Sequence, residues 1–174
     1  MHVDELGCAT ASLARRPRKS LQYSRRVSQE DVELVRGLLV PFEQGDITPI
    51  FRDDTIWAAA RAALTGALTP DFDCDFVRDD VGRATFAGID GLRTAWMDWL
   101  SPWETYDAVI EDAIEANEGR VLVLTRDHAR PKGATGAEVD FAGAAVWTVR
   151  DGKVARVEFY FNRAEGFAAA GVSQ

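Results

Sequence analysis

The chain has 174 residues, of which 47% are apolar and 28% charged, and its net charge is −8 at pH 7. This length and composition fit one soluble domain with a core of its own, and no apolar run approaches the roughly 18 residues of a membrane-spanning helix. The acidic balance argues against a nucleic-acid partner, because affinity for phosphates comes from basic side chains.

The charge is unevenly distributed along the chain. Residues 1–27 hold six Arg or Lys side chains against Asp4 and Glu5, a balance of +4, so residues 28–174 carry −12. The basic segment has no periodic apolar pattern, which predicts a disordered tail at 1–27 followed by one domain at 28–174. No secretory-signal pattern opens the chain, so we expect a cytoplasmic protein without a membrane partner.

Two helices are predicted in the first part of the domain. The first spans 28–44 with Ser28 as its N-cap, and Pro41 predicts a kink or an early end of this helix. The second spans about 54–68 and stops before Thr69-Pro70. Its expected inner side consists of Ile56, Ala60, Ala63, Leu64 and Ala67.

A short strand at about 72–77 is indicated by apolar residues that alternate with aspartates. A loop with Gly82 and Gly88 then leads to a third helix, for which Asp90 is the candidate cap. The apolar stripe of this helix, typical of a core-facing helix, contains Leu92, Trp96, Trp99 and Leu100.

Four long strands, arranged as two consecutive hairpins, precede a short final helix at 163–170. The strands are predicted at about 104–116, 120–130, 138–150 and 153–162. Asp151-Gly152, between β-branched and aromatic residues, is the strongest hairpin signal in the chain. Helices gathered early and antiparallel strands late predict an α+β fold, in which a curved antiparallel sheet wraps around the N-terminal helices.

The last strand alternates between two kinds of side chain. One set is apolar and contains Ala155, Val157, Phe159 and Phe161; the other contains Val154, Arg156, Glu158 and Tyr160. We expect the apolar set to lie on the outer face of the sheet and to form a homodimer interface. Glu158 and Tyr160 would then point inward, near Trp147 and near Arg126 and His128 on a neighbouring strand.

The order of these elements, with four sequence segments, resembles the SnoaL-like branch of the NTF2-like superfamily over about residues 28–172. The segments are GDI after the first helix, PDFDCDF, FAGIDGLRTAWMDWL, and VWTVRDGKVARVEFYFNRAEGFAAAG at the end. The resemblance implies a cone-shaped α+β fold, often a homodimer, with an interior pocket closed by the helices. Relatives include ketosteroid isomerases, polyketide cyclases and epoxide hydrolases.

The acid and base residues of these relatives are missing here. Counted from the matching motifs, the isomerase tyrosine falls at Leu38, its base at Phe76, and the acid that also serves as the cyclase base at Ala145. None of these side chains titrates, so neither mechanism can run as it does in those relatives. The arginine between two aspartates of epoxide hydrolases has no clear place, although Arg126, Asp127 and Asp140 are of the required types.

Two other residues are the candidates for catalysis. Glu158, if it faces inward, is either paired with a cation such as Arg126 or has a raised pKa and acts as acid or base. His128 could exchange protons near neutral pH, or could be a solvated surface residue. The predicted ligand-binding residues are Trp147, Tyr160, Arg126, Phe76, Trp96 and Ala145.

The sequence predicts no cofactor and no metal. Cys8 and Cys74 are isolated, no second histidine stands in ligand spacing to His128, and no phosphate-binding or dinucleotide-binding motif is found. We therefore expect a protein that binds an apolar, oxygenated small molecule, either as a binding protein alone or as a cofactor-independent isomerase, cyclase or hydrolase. The alternative is a non-catalytic dimerisation or partner-binding module. A cavity of about 300 Å³ or more, with Glu158 and His128 pointing in, would favour the ligand-binding function.

Overall fold

A computed structural model describes residues 18–78 and 82–173, with side chains from Gln29 onward except that of Arg78. Residues 1–17 of the predicted tail lie outside the described residues. The helices are α1 (Arg18–Leu39), α2 (Thr48–Arg52), α3 (Asp54–Ala67), α4 (Gly88–Leu100) and α5 (Arg163–Ala170), with a 3-10 helix at Val40–Gln44. The strands are β1 (Leu68–Arg78), β2 (Gly82–Ala87), β3 (Trp103–Glu115), β4 (Arg120–Pro131), β5 (Val139–Arg150) and β6 (Lys153–Tyr160).

The strands form one sheet in the order β2-β1-β6-β5-β4-β3, in which only the β1–β6 pair is parallel. Helices α1 to α4 lie on the inner face of this curved sheet. Their apolar side chains form the main core together with those of that face. Helix α5 instead packs on the outer face, where Phe167 and Ala170 join Leu122, Ala144 and Val146. The predicted α+β fold is confirmed.

The N-terminal helices differ from the prediction in their bounds. Helix α1 begins at Arg18, ten residues before Ser28, and ends at Leu39, where Pro41 opens the 3-10 helix as expected. The side chain of Asp53 caps α3 by accepting hydrogen bonds from the backbone N–H groups of Thr55 and Ile56. In the helix that begins at this cap, Trp57 faces inward and Ile56 is exposed. The predicted place of Ile56 on the inner side is therefore wrong.

Strand β2 replaces part of the predicted loop between Gly82 and Gly88. It pairs antiparallel with β1, for example Phe86 with Cys74. Five of its six residues are exposed, so the strand has no apolar alternation that the sequence could show. Gly82 and Gly88 bound the strand with φ of 81° and 70°, a conformation that glycine adopts most readily.

A β-bulge at Ala155 decides which face of β6 lies inside. Next to the turn, Val149 pairs with Val154, but Thr148 pairs with Arg156, so Ala155 has no partner on β5. An extra residue in one strand shifts every later pair by one and turns each side chain to the opposite face. Trp147 therefore lies opposite Val157, where an uninterrupted hairpin would place Arg156.

The predicted facing of β6 is consequently wrong. Val157 is only 1% exposed and belongs to the inner core, together with Phe159 and Phe161. Glu158 and Tyr160 lie on the outer face instead. The prediction for β5 is correct, because Ala145 and Trp147 face inward.

Within the described part of the chain, no helix is both long and apolar enough to span a bilayer.

Candidate functional site

The inner core encloses an apolar cavity of about 170 Å³. Its walls come from α1 to α4 and the 3-10 helix on one side and from the inner face of the sheet on the other. The outer end lies where Gly37, Pro41 and Ala63 are exposed on the helices. Aromatic side chains dominate the walls, among them Phe42, Phe51, Trp57, Phe72, Trp96 and Trp147.

Three polar side chains of neighbouring strands reach this cavity. They are Tyr106 on β3 and Thr125 and Asp127 on β4. The Thr125 hydroxyl donates a hydrogen bond to Asp127 Oδ2 at 3.2 Å, and the Tyr106 hydroxyl also hydrogen-bonds the Asp127 carboxyl. Trp99 in turn hydrogen-bonds Tyr106. The polar groups thus converge on one carboxyl in an otherwise apolar space.

Burial changes the acidity of this carboxyl. Asp127 is 5% exposed, and burial raises its pKa to about 7 although the hydroxyls of Thr125 and Tyr106 and the charges of His128 and Arg163 favour the ionised form. Burial, followed by the negative charge of Asp127, raises the pKa of Tyr106 well above its ordinary value. Near neutral pH Asp127 can therefore give or take a proton, while Tyr106 stays a hydrogen-bond donor.

Gly143 has no side chain, and this leaves room for the side chains of Thr125 and Asp127. It lies on β5 directly opposite Thr125. A Cβ atom at Gly143 would stand 2.7 Å from Thr125 Oγ1 and 2.9 Å from Asp127 Oδ2, closer than real Cβ atoms approach. A larger residue at this position would therefore displace the carboxyl.

A cation on the outer face supports the same part of the sheet. Strand β3 is irregular between Ile110 and Asp112, opposite Thr125. Arg163, at the start of α5, donates to the Thr125 backbone carbonyl and lies 3.4 Å from the Gly143 carbonyl and 2.7 Å from the Glu111 carboxylate. Because Arg163 contacts backbone carbonyls of both β4 and β5, it links α5 to the position of the Asp127 carboxyl.

The comparisons with known proteins agree with this architecture. The family model for SnoaL-like domains matches residues 51–157. The chain belongs to the SnoaL-like domain family. No curated protein sequence matches this SnoaL-like chain significantly.

Solved structures of low sequence identity share the fold of this SnoaL-like protein. Bal32a, from a soil-derived mobile gene cassette, is 15% identical with a TM-score of 0.57 and covers 83% of this chain and 98% of its own. TerC, co-crystallised with polyporic acid, is 16% identical with a TM-score of 0.56, over 81% and 97% of the two chains. An NTF2-like protein of unknown function from Burkholderia pseudomallei is 18% identical with a TM-score of 0.53, over 81% and 97%.

The predicted ligand-binding residues are divided between cavity, core and surface. Trp96, Trp147 and Ala145 line the cavity of the SnoaL-like domain. Tyr160 borders it, but the Tyr160 hydroxyl donates to Glu158 Oε1 on the outer face at 3.3 Å. Phe76 belongs to the inner core and packs against Trp96 and Phe159 with centroid distances of 5.5 and 4.8 Å, outside the cavity lining.

Glu158, a predicted catalytic residue, is part of an ion cluster on the outer face. Arg83 Nη1 on β2 lies 2.6 Å from Glu158 Oε1 and also contacts Asp75, and Arg156 contacts Asp75 as well. Of the two interpretations given for Glu158, the structure favours ion pairing, with Arg83 rather than Arg126 as the partner. Its position outside the cavity follows from the bulge at Ala155.

His128 and Arg126 also point away from the cavity. The alternating inner side chains of β4 are those of Val121, Val123, Thr125 and Asp127, so their neighbours face outward. Arg126 Nε is 2.8 Å from the Glu111 carboxylate, and His128 Nδ1 is 2.6 Å from Asp140 in a half-exposed pair. His128 borders a second groove of about 590 Å³ along β3, lined by both polar and apolar side chains, and its half-exposed place supports the surface interpretation of this histidine.

Asp127 and its partners Tyr106 and Thr125 are not among the predicted site residues, although Asp127 is of a type that epoxide hydrolases use. The signal is present, because Asp127 shares a face of β4 with Val121 and Val123, and a carboxylate on an apolar face is unusual. The other face starts with Leu122 and Leu124 and is equally apolar, so alternation alone does not choose between them. Among the described residues, no group of three or more His, Cys, Asp or Glu side chains is arranged to hold a metal ion.

Proposed function

We propose that this protein binds a small, apolar, oxygenated molecule in the inner cavity, and that Asp127 exchanges a proton with it. The observation that carries this proposal is a buried carboxyl, with a pKa raised to about 7, where three polar side chains converge in an apolar cavity. General acid–base catalysis is most efficient when the pKa of the group lies near the working pH.

The site fits proton transfer next to a carbonyl group. In its ionised form Asp127 would take a proton from the carbon beside the carbonyl, and in its neutral form it would return one. The Tyr106 and Thr125 hydroxyls hydrogen-bond the carboxyl of Asp127 before the transfer, and once Asp127 has taken up the proton they would turn to donate hydrogen bonds to the enolate oxygen. This arrangement differs from that of the isomerases and cyclases, whose positions fall at Leu38 and Ala145; both of these apolar side chains line the cavity.

The relatives support ligand binding in general terms. TerC has the same fold and was co-crystallised with polyporic acid, which is consistent with a ligand-binding cone. The reaction class comes from the residues of this chain, because a fold hosts many activities.

The test is deuterium exchange into a simple ketone in heavy water. We expect the protein to accelerate exchange at the carbon beside the carbonyl of cyclohexanone, followed by NMR, with a rate that rises as the pH passes through about 7 and then levels off. Asp127→Asn should reduce the protein-dependent rate by about 100-fold or more, as is typical when a general base is removed. Asp98→Asn, an exposed aspartate outside the cavity lining, is the matched control.

The cavity volume favours the alternative, a non-catalytic module, in one respect. About 170 Å³ is less than the roughly 300 Å³ expected of a ligand site, because aromatic rings fill most of the cone. If no ketone exchanges faster than in buffer and no small molecule raises the melting temperature, the proton-transfer proposal fails and the module remains.

A further inference from the structure

The cavity is too small for the multi-ring compounds that a wider cone of this kind could hold. An engineered cavity of about 150 Å³ in another protein holds one benzene molecule, whereas drug-sized ligands occupy roughly 300 Å³ or more. At about 170 Å³, the present cavity lies close to the lower value. Its size corresponds to one ring.

Large side chains, packed against each other, take up the remaining space in the cone. Phe51 stacks on Trp96 at a centroid distance of 5.1 Å, and Trp99 stacks on Phe161 at 3.8 Å. Rings in such contacts are held in place on both sides, so a second ring of a ligand could enter only by disrupting them. The small volume is therefore a property of the packed core.

The charges around the cavity select for an uncharged ligand. In the described part of the chain, no Lys, Arg or His side chain lines it, so a ligand carboxylate or phosphate would be buried without a partner. A ligand cation could pair only with Asp127, and an ion pair inside this apolar cavity would have to offset the desolvation of both charges. The polar side chains that converge on one point of the cavity are Asp127, Tyr106 and Thr125, so this end is suited to a polar ligand atom.

We infer that the ligand is an uncharged single-ring compound with one hydroxyl or carbonyl group, oriented with its oxygen toward Asp127, Tyr106 and Thr125 and its ring among the aromatic walls. This inference rests on the proposed function for the location of the site. It adds the size, the charge and the number of oxygen groups of the ligand.

Binding of five probe compounds, measured by NMR titration of the full chain, tests this inference. Phenol and cyclohex-2-enone should each bind at least about tenfold more tightly than 2-naphthol, benzoate or benzylamine, since a steric misfit or a missing partner in such a site commonly costs this factor. Equal or tighter binding of 2-naphthol would overturn the size limit, and equal or tighter binding of benzoate or benzylamine would overturn the charge preference.

A variant with a larger cavity tests the cause of the size limit. Leu64 lines the cavity on α3, where alanine is a good helix former. Leu64→Ala should therefore admit 2-naphthol, so that 2-naphthol binds less than about threefold more weakly than phenol instead of about tenfold. Leu34→Ala on α1, which packs on the same core without lining the cavity, should leave the disadvantage unchanged. If Leu64→Ala does not fold, Ala145→Val, which adds two carbon atoms inside the cavity, should weaken phenol binding by about tenfold. If Leu64→Ala and Ala145→Val fold but leave the affinities of both compounds unaltered, the compounds bind elsewhere.

The two proposals fail in different ways. If 2-naphthol binds as tightly as phenol and its binding still depends on Asp127, the single-ring limit fails and the proposed function stands. If phenol binds with the expected selectivity but Asp127→Asn leaves deuterium exchange unaltered, the proton transfer fails and the ligand class stands.

Discussion

Asp127 makes the stability of the folded chain depend on pH in an unusual direction for an aspartate. Burial raises its pKa from an ordinary value near 3.8 to about 7, so between these values the folded protein holds a proton that the unfolded chain has released. Stability from this group is fully present below pH 4 and is lost as the pH rises to about 7. Because one pKa unit corresponds to about 1.4 kcal/mol, the loss is on the order of 4 kcal/mol.

We therefore expect Asp127→Asn to gain stability relative to the wild type as the pH rises. The amide keeps the shape of the carboxyl but cannot ionise, so the free energy of unfolding of the variant minus that of the wild type should be larger at pH 8 than at pH 5. Urea unfolding at the two pH values measures this, and the difference between the proteins removes the contribution of all other titrating groups. A difference that does not vary with pH would mean that Asp127 is ionised at pH 5 already.

At the scale of the elements, the sequence predicts which helices and strands exist better than it predicts which side chains of a strand point inward. Strands β3 to β6 and helix α5 are found close to their predicted positions, because each has a long apolar pattern or a strong turn signal. The bulge at Ala155 has no such signal, since alternation continues on both sides of it. The identity of the inner polar residues depends on such local register, so the site is predicted less well than the fold.

The corrected facing of β6 gives a direct test by mutation. Val157→Lys would place a cation in the inner core, so we expect a loss of about 4 kcal/mol or more in the free energy of unfolding. Val139→Lys, at a strand position that is 40% exposed, should change stability by less than about 1 kcal/mol. Similar losses in both variants would contradict the inward place of Val157.

For the whole molecule, the predicted homodimer now depends on other residues. The apolar set of β6 that motivated it is buried in the core, and α5 covers part of the outer sheet face. Val109 on β3 remains on that face, 49% exposed and opposite Arg126. A dimer through the outer face would have to cover this region.

We expect the wild type to be a dimer at micromolar concentration and Val109→Lys to be a folded monomer, because a buried lysine without a partner disfavours an interface. Light scattering gives the masses, and circular dichroism shows whether the variant keeps its fold. A monomeric wild type, or a dimer that Val109→Lys leaves intact, would exclude this interface.

The bulge at Ala155 also affects how this chain should be aligned with its relatives. The roles of β5 residues can be transferred between sequences by counting back from Asp151-Gly152, because β5 has no extra residue. Counting forward into β6 goes wrong by one position after Val154 against any relative whose hairpin has no bulge. An alignment without a gap at Ala155 would then match Glu158 with inward-facing residues and assign it their roles, so correct transfer of function across this hairpin requires the gap.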